Sequence, residues 1–164
     1  MKIGCIGLGS MGSLMSAQLV RRGYEVIGYD ILPAALTAAA ERGVVPAANS
    51  AEVAAQCDTI VCMMSQSRDT RIALFGEHGV HENLRPGMLI LDMSTGAPTD
   101  TKAIHAQLKE QGVAFVDAPV SGGVVRAADG TLSIMASGDR EDYDRALEIF
   151  NALGKSVFYV GESG

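Results

Sequence analysis

Basic residues are in the minority in this chain: 13 Lys and Arg stand against 19 Asp and Glu, for a net charge of −6. With no basic cluster, neither nucleic acid nor an anionic membrane surface is expected as the main partner. Cysteine is scarce. Cys5, Cys57 and Cys62 are the only three, an odd count that argues against a disulfide framework, and no spacing resembles a metal site. Cys5 and Cys62 fall inside apolar, strand-like runs. All three read as buried free thiols in a reducing, cytoplasmic compartment. His78, His81 and His105 are scattered among polar neighbours and read as surface residues. No apolar run approaches the ~20 residues of a membrane span. The first strand is expected to open at Lys2, so no signal peptide is expected ahead of the fold. There is no internal repeat and no low-complexity tract beyond an alanine-rich stretch at 34–40. What is present is ordinary globular composition, 48% hydrophobic and 20% charged over 164 residues. That length suits one domain with a real core, spanning 1–164.

The first thirty residues organise the rest. An apolar run, Ile3-Gly4-Cys5-Ile6, leads into Gly7-Leu8-Gly9-Ser10-Met11-Gly12. An apolar-striped helical run follows to Arg22-Gly23, then Glu25-Val26-Ile27-Gly28-Tyr29-Asp30. This is strand, glycine turn, helix, strand, acid. A lone G-x-G-x-x-G is weak, but here it sits where a dinucleotide needs it. Gly7 permits the sharp turn, Gly9 lets backbone N–H groups approach a pyrophosphate, and Gly12 allows close packing of the helix. A helix N-terminus then faces the phosphates. Asp30 stands 23 positions after Gly7, near the ~20 expected for an acid that accepts the ribose hydroxyls. A carboxylate there repels a 2′-phosphate, which favours NAD over NADP.

Down the chain, helices and strands alternate. Helices are expected from Pro33 to Gly43 and from Asn49, where Asn49 and Glu52 have capping-box spacing. Val44-Val45-Pro46 reads as a short strand. Thr59 to Met64 reads as a strand apolar on both faces, hence central in a parallel sheet. Met63 and Met64 at its carboxyl end either line a ligand groove or belong to plain core. Ser65 to Leu84 reads as helix interrupted at Gly76–Gly79. Met88 to Asp92 is a strand, and Ser94-Thr95 after it are either a helix cap or ligand contacts. Thr99 to Gln111 is a helix and Val113 to Asp117 a strand. Ala118 to Thr131 reads as a loop of small residues, in which Ser121-Gly122-Gly123 form either an anion-binding nest or a flexible turn. After the strand Leu132–Ala136, Asp139 is expected to cap a helix with a buried stripe of Tyr143, Ala146, Leu147, Phe150 and Leu153. Val157–Val160 is the last strand. The pattern is that of an α/β, Rossmann-type, doubly wound and mainly parallel sheet with helices on both faces.

Three segments, Gly7–Gly12, Asp92-Met93-Ser94-Thr95-Gly96-Ala97-Pro98 and Asp117-Ala118-Pro119-Val120-Ser121-Gly122-Gly123, resemble the three N-terminal motifs of the β-hydroxyacid dehydrogenase family. That family includes 3-hydroxyisobutyrate dehydrogenase, tartronate semialdehyde reductase and, more distantly, 6-phosphogluconate dehydrogenase. Ala127–Leu132 continues the third motif, so the resemblance covers essentially the whole chain. Met64-Ser65 departs from the usual Leu-Pro. The resemblance implies that Gly7, Leu8, Gly9, Ser10, Met11, Gly12 and Asp30 bind NAD. It places Thr95 near the nicotinamide, and gives Ser121, Gly122 and Gly123 the substrate's carboxylate and hydroxyl.

The implied reaction is hydride transfer between the nicotinamide and a small 3-hydroxy acid, of the 3-hydroxyisobutyrate or tartronate semialdehyde/glycerate type. Ser121 would orient the substrate. The family's catalytic lysine lies on a helical domain expected beyond Gly164, so this chain alone is expected to bind NAD without turning over substrate. The full-length protein is expected to form a homo-oligomer. Two other readings stay open. One is a non-catalytic binding or assembly module. The other is an enzyme with a different substrate, an imine or a phosphorylated sugar acid. Arg126 is the only basic residue close to Ser121 in sequence.

Overall fold

The computed structural model describes Met1 to Gly164. β1 (Lys2–Ile6) runs through the glycine turn into α1 (Gly12–Arg21) and β2 (Glu25–Tyr29). Then come α2 (Pro33–Ala40), β3 (Val45–Pro46), α3 (Ser50–Gln56), β4 (Thr59–Cys62) and α4 (Ser67–Phe75), followed by a 3-10 turn at Val80–Asn83. β5 (Leu89–Asp92), α5 (Pro98–Lys109), β6 (Ala114–Asp117), β7 (Val120–Ser121) and α6 (Gly123–Asp129) follow. β8 (Leu132–Gly138), α7 (Arg140–Leu153) and β9 (Gly154–Gly161) complete the chain.

β3, β2, β1, β4, β5 and β6 lie side by side in that order, all parallel. Strand order reverses between β1 and β4, which opens a crevice at their carboxyl ends. β8 pairs antiparallel with β6, and β9 runs parallel to β8. β6 and β7 share one register along β8: Asp117 faces Ser137, and Val120 faces Ile134.

Side chains alternate between the two faces of each strand. Ile3, Cys5, Val61, Leu91 and Val116 join one cluster with Leu19 of α1 and Phe150 of α7. Ile6, Ile60, Cys62, Ile90 and Phe115 join the other, with Val53, Leu74 and Leu108 of α3, α4 and α5. Helices on both faces explain why Leu89-Ile90-Leu91 is apolar without alternation. Burying one such side chain contributes roughly 1.5–3 kcal/mol. The expected stripe of α7 is buried, with Leu147 only partly covered.

Several expectations need correction. The 118–131 segment is not a plain loop: it holds β7 and the two-turn α6. The helix expected from Ser65 begins at Ser67 and ends at Phe75, because Gly76 is extended (φ −80°, ψ −176°). Asp139 precedes α7 but makes no cap bond. Its carboxylate instead accepts from Lys109 Nζ at 2.8 Å. His105 is half-buried, its ring 6.1 Å from that of Phe115. The Asn49 cap is present. Asn49 Oδ1 accepts the Glu52 N–H at 2.8 Å, and Glu52 reaches back to the N–H of Ala48 at 2.6 Å.

Candidate functional site

The strands end in one row. Tyr29, Ile6, Cys62, Asp92 and Asp117 are register neighbours across β2, β1, β4, β5 and β6. The loops that leave this row carry most of the residues singled out from the sequence.

At β1 the chain turns through Gly7, whose φ of +89° suits only glycine. Its N–H donates to Tyr29 O at 3.0 Å. Gly12 packs α1 directly on the Gly7 carbonyl, leaving no room for a Cβ. Gly9 differs: no atom lies within 4 Å of where its Cβ would be. The N–H groups of Gly9, Ser10, Met11 and Gly12 donate to no other atom of the chain, and no side chain caps α1. Four consecutive free donors at a helix start can hold an anionic group.

Asp30 does more than its position after β2 suggests. Its Oδ2 accepts the Leu8 N–H at 2.6 Å, and its Oδ1 accepts the Leu32 N–H at 2.8 Å. The carboxylate thus ties the end of β2 to the glycine turn, and its remaining lone pairs can accept from a ligand. Leu8 itself points into the core and is 1% exposed.

A cavity of about 500 Å³ opens beside this turn. Gly7, Gly9, Asp30, Met63 and Met64 line it, so both methionines are groove wall. Leu8, Ser10, Met11, Gly12, Thr95 and Ser121–Gly123 do not line it. Ile31, Leu32 and Ile72 add apolar wall to it, and His78 also lines it. His78, read from sequence as mere surface, is the only non-glycine residue with positive φ, at +54°. Its carbonyl accepts the Ala51 N–H at 2.9 Å, and its own N–H donates to Glu82 at 2.9 Å.

In the loop after β5, Thr95 is exposed and Ser94 is fully buried. Ser94 Oγ accepts the Met64 N–H at 2.7 Å, and the Ser94 N–H donates to Asp92 Oδ1 at 3.1 Å. The sequence signal for this pair is the Asp-x-Ser spacing at a strand end. Burial raises the Asp92 carboxyl, against the hydrogen bonds from Ser94 and the influence of the nearby Thr70 hydroxyl. Asp117, next to it in register, is pushed up to about 6, first by burial and then by the Asp92 charge.

Ser121 is exposed on β7 and pairs with Ser133, four residues along β8 from the partner of Asp117. At ~3.3 Å per residue it projects about 13 Å past the end of β6. Gly122 (φ +135°) and Gly123 (φ +63°) begin α6 in conformations that favour glycine.

The family model for the NAD binding domain of 6-phosphogluconate dehydrogenase matches residues 2–161. The chain is 37% identical over 159 residues to L-threonate dehydrogenase from Cupriavidus necator, covering 97% of this chain and 54% of that protein. It is 35% identical over 163 residues to NAD-dependent L-serine dehydrogenase from Pseudomonas aeruginosa, covering 99% of this chain and 55% of the relative. Among solved structures, the Mycobacterium tuberculosis 3-hydroxyisobutyrate dehydrogenase with L-serine superposes with a TM-score of 0.94 at 34% identity, over 99% of this chain and 55% of that one. The chain spans about half the length of the relatives it matches.

Proposed function

Because the chain belongs to the family of the NAD-binding domain of 6-phosphogluconate dehydrogenase, we propose that it is the NAD-holding domain of an oxidoreductase acting on a small 3-hydroxy acid. The observation that carries this reading is the run of four free N–H donors from Gly9 to Gly12, beside a cavity of about 500 Å³. Those donors would take the pyrophosphate, with Gly9 leaving space for its approach. Asp30 would accept the adenosine ribose hydroxyls, and its charge would disfavour NADP. Met63 and Met64 would line the groove, and Thr95 would stand towards the nicotinamide. When bound, the cofactor supplies hydride transfer.

Ser121 would orient the substrate hydroxyl, while the N–H groups of Gly122 and Gly123 hold its carboxylate. The acid, of the 3-hydroxyisobutyrate or glycerate type, would lose hydride to the nicotinamide and its hydroxyl proton to a general base. By the resemblance to the family, a lysine from the remainder of a longer, homo-oligomeric protein is the candidate for that base. On this reading residues 1–164 form one domain, work in a reducing cytoplasm with their thiols buried, and bind NAD without turnover.

Calorimetric titration with both cofactors tests the binding reading. NAD is expected to bind at least ~10-fold tighter than NADP. Tighter NADP binding refutes the cofactor choice, and no binding of either refutes the whole reading.

A further inference from the structure

We propose that Arg126 is a specificity-determining residue: its guanidinium joins the N–H groups of Gly122 and Gly123 on the carboxylate of the substrate beside Ser121, and so commits the site to hydroxy acids rather than to neutral or cationic imines. The proposal rests on the hydroxy-acid reading above and names its charge requirement.

Gly122 and Arg126 are four positions apart at the start of α6, which puts them on the same helix face. The Arg126 stem fills the space a side chain on Gly122 would need. Its Cδ, Cβ and Cγ lie 2.5, 2.8 and 3.0 Å from the place of that missing Cβ. Helical side chains lean toward the N-terminus. The stem therefore runs back over Gly122, the residue that follows Ser121. Gly122 is needed twice over, for its φ of +135° and for the room it gives this stem.

The guanidinium is unspent. It makes no hydrogen bond and no ion pair within the chain, a state it shares with Arg22, Arg68 and Arg71, whereas Arg21, Arg42, Arg85, Arg140 and Arg145 are engaged. Asp129, three positions on, does not pair with it, and no acidic residue lies between Asp117 and Asp129. In a chain of net charge −6, this exposed arginine over Gly122, with no acid among residues 118–128, puts positive charge at the turn that follows Ser121. Its planar fork matches a carboxylate in bidentate fashion and repels an iminium cation.

The test uses protein expressed from the complete reading frame, saturated with NAD, with Arg126→Gln and Arg126→Lys variants. The substrates are 3-hydroxyisobutyrate and its uncharged primary amide. Arg126→Gln is expected to raise KM for the acid about 10- to 100-fold. It should change kcat little and leave the amide and NAD affinity unaffected, and Arg126→Lys should recover part of the loss. An equal loss on acid and amide, or no loss on the acid, overturns the proposal. In parallel, each variant is titrated with the acid while the amide N–H signals of Gly122 and Gly123 are followed by NMR. If the wild type turns over no acid but binds it, and Arg126→Gln weakens that binding, the dehydrogenase reading fails and this inference stands. If acid binding is the same in both, or absent from the wild type, this inference fails.

Discussion

Ser94 Oγ accepts the backbone N–H of Met64 at 2.7 Å, across 30 residues of sequence. One buried hydroxyl on the β5 loop thus pins the groove wall at the end of β4, and Asp92 holds Ser94 in turn through its N–H. Ser94→Ala would leave that N–H without its partner in a half-buried place. We expect a loss of about 1–3 kcal/mol, a drop of roughly 2–10 °C in Tm for a chain this size. A several-fold weaker Kd for NAD should accompany it. Calorimetry on the apo and NAD-loaded protein checks both. An unchanged Kd would show that the Met64 wall does not contribute to binding.

Gly9 and Gly12 are glycines for opposite reasons, and substitution separates them. A methyl at Gly12 collides with the Gly7 carbonyl, so Gly12→Ala should cost about 3 kcal/mol or more. A methyl at Gly9 meets nothing in this chain. Gly9→Ala should therefore hold Tm within about 2 °C yet weaken NAD binding about 10-fold or more, by occupying the phosphate's approach. Thermal unfolding paired with cofactor titration reads both. A destabilised Gly9→Ala protein would contradict the assignment.

Asp30 accepts from both Leu8 and Leu32, so its replacement has two expected effects. Asp30→Asn loses one backbone acceptor, at about 1–3 kcal/mol. It also removes the charge that would face a 2′-phosphate, so the NAD-over-NADP preference should fall roughly 10-fold. Competitive titration of the two cofactors measures the ratio, and an unchanged ratio would mean that selectivity lies elsewhere.

Asp117 predicts a pH slope. Its carboxyl sits at about 6 in the fold against 3.8 ordinarily. Between those values the native state binds more protons than the unfolded chain, so stability falls as pH rises from about 4 to about 6 and then levels off. Asp117 is only half-buried, and solvent screening limits its share to about 1 kcal/mol. Asp117→Asn should flatten this part of the curve and be the more stable protein at pH 7.5. Urea unfolding of both proteins at pH 4.5 and 7.5 decides it. An unchanged slope would assign the effect to Asp92 or to no acid in this pair.

What the order of residues determined by itself was local. Strand, turn, helix and strand from Lys2 to Tyr29 were legible because glycine conformation, helix periodicity and unbroken apolar runs act over a few neighbouring residues. The parallel sheet followed from runs apolar on both faces, and the Asn49 cap from spacing alone. The site's other parts depend on distant pairings. Asp92 and Asp117 meet because β5 and β6 are neighbours in register. Ser94, not the Thr95 singled out from the motif, was taken inward to hold Met64. Lys109 drew Asp139 away from its cap, and His78 came to the groove on a strained backbone. Which hydroxyl is buried, and which carboxylate finds which donor, is decided when sheet and helices pack. Burial makes an unpaired polar group costly, and that cost is set by the tertiary neighbours.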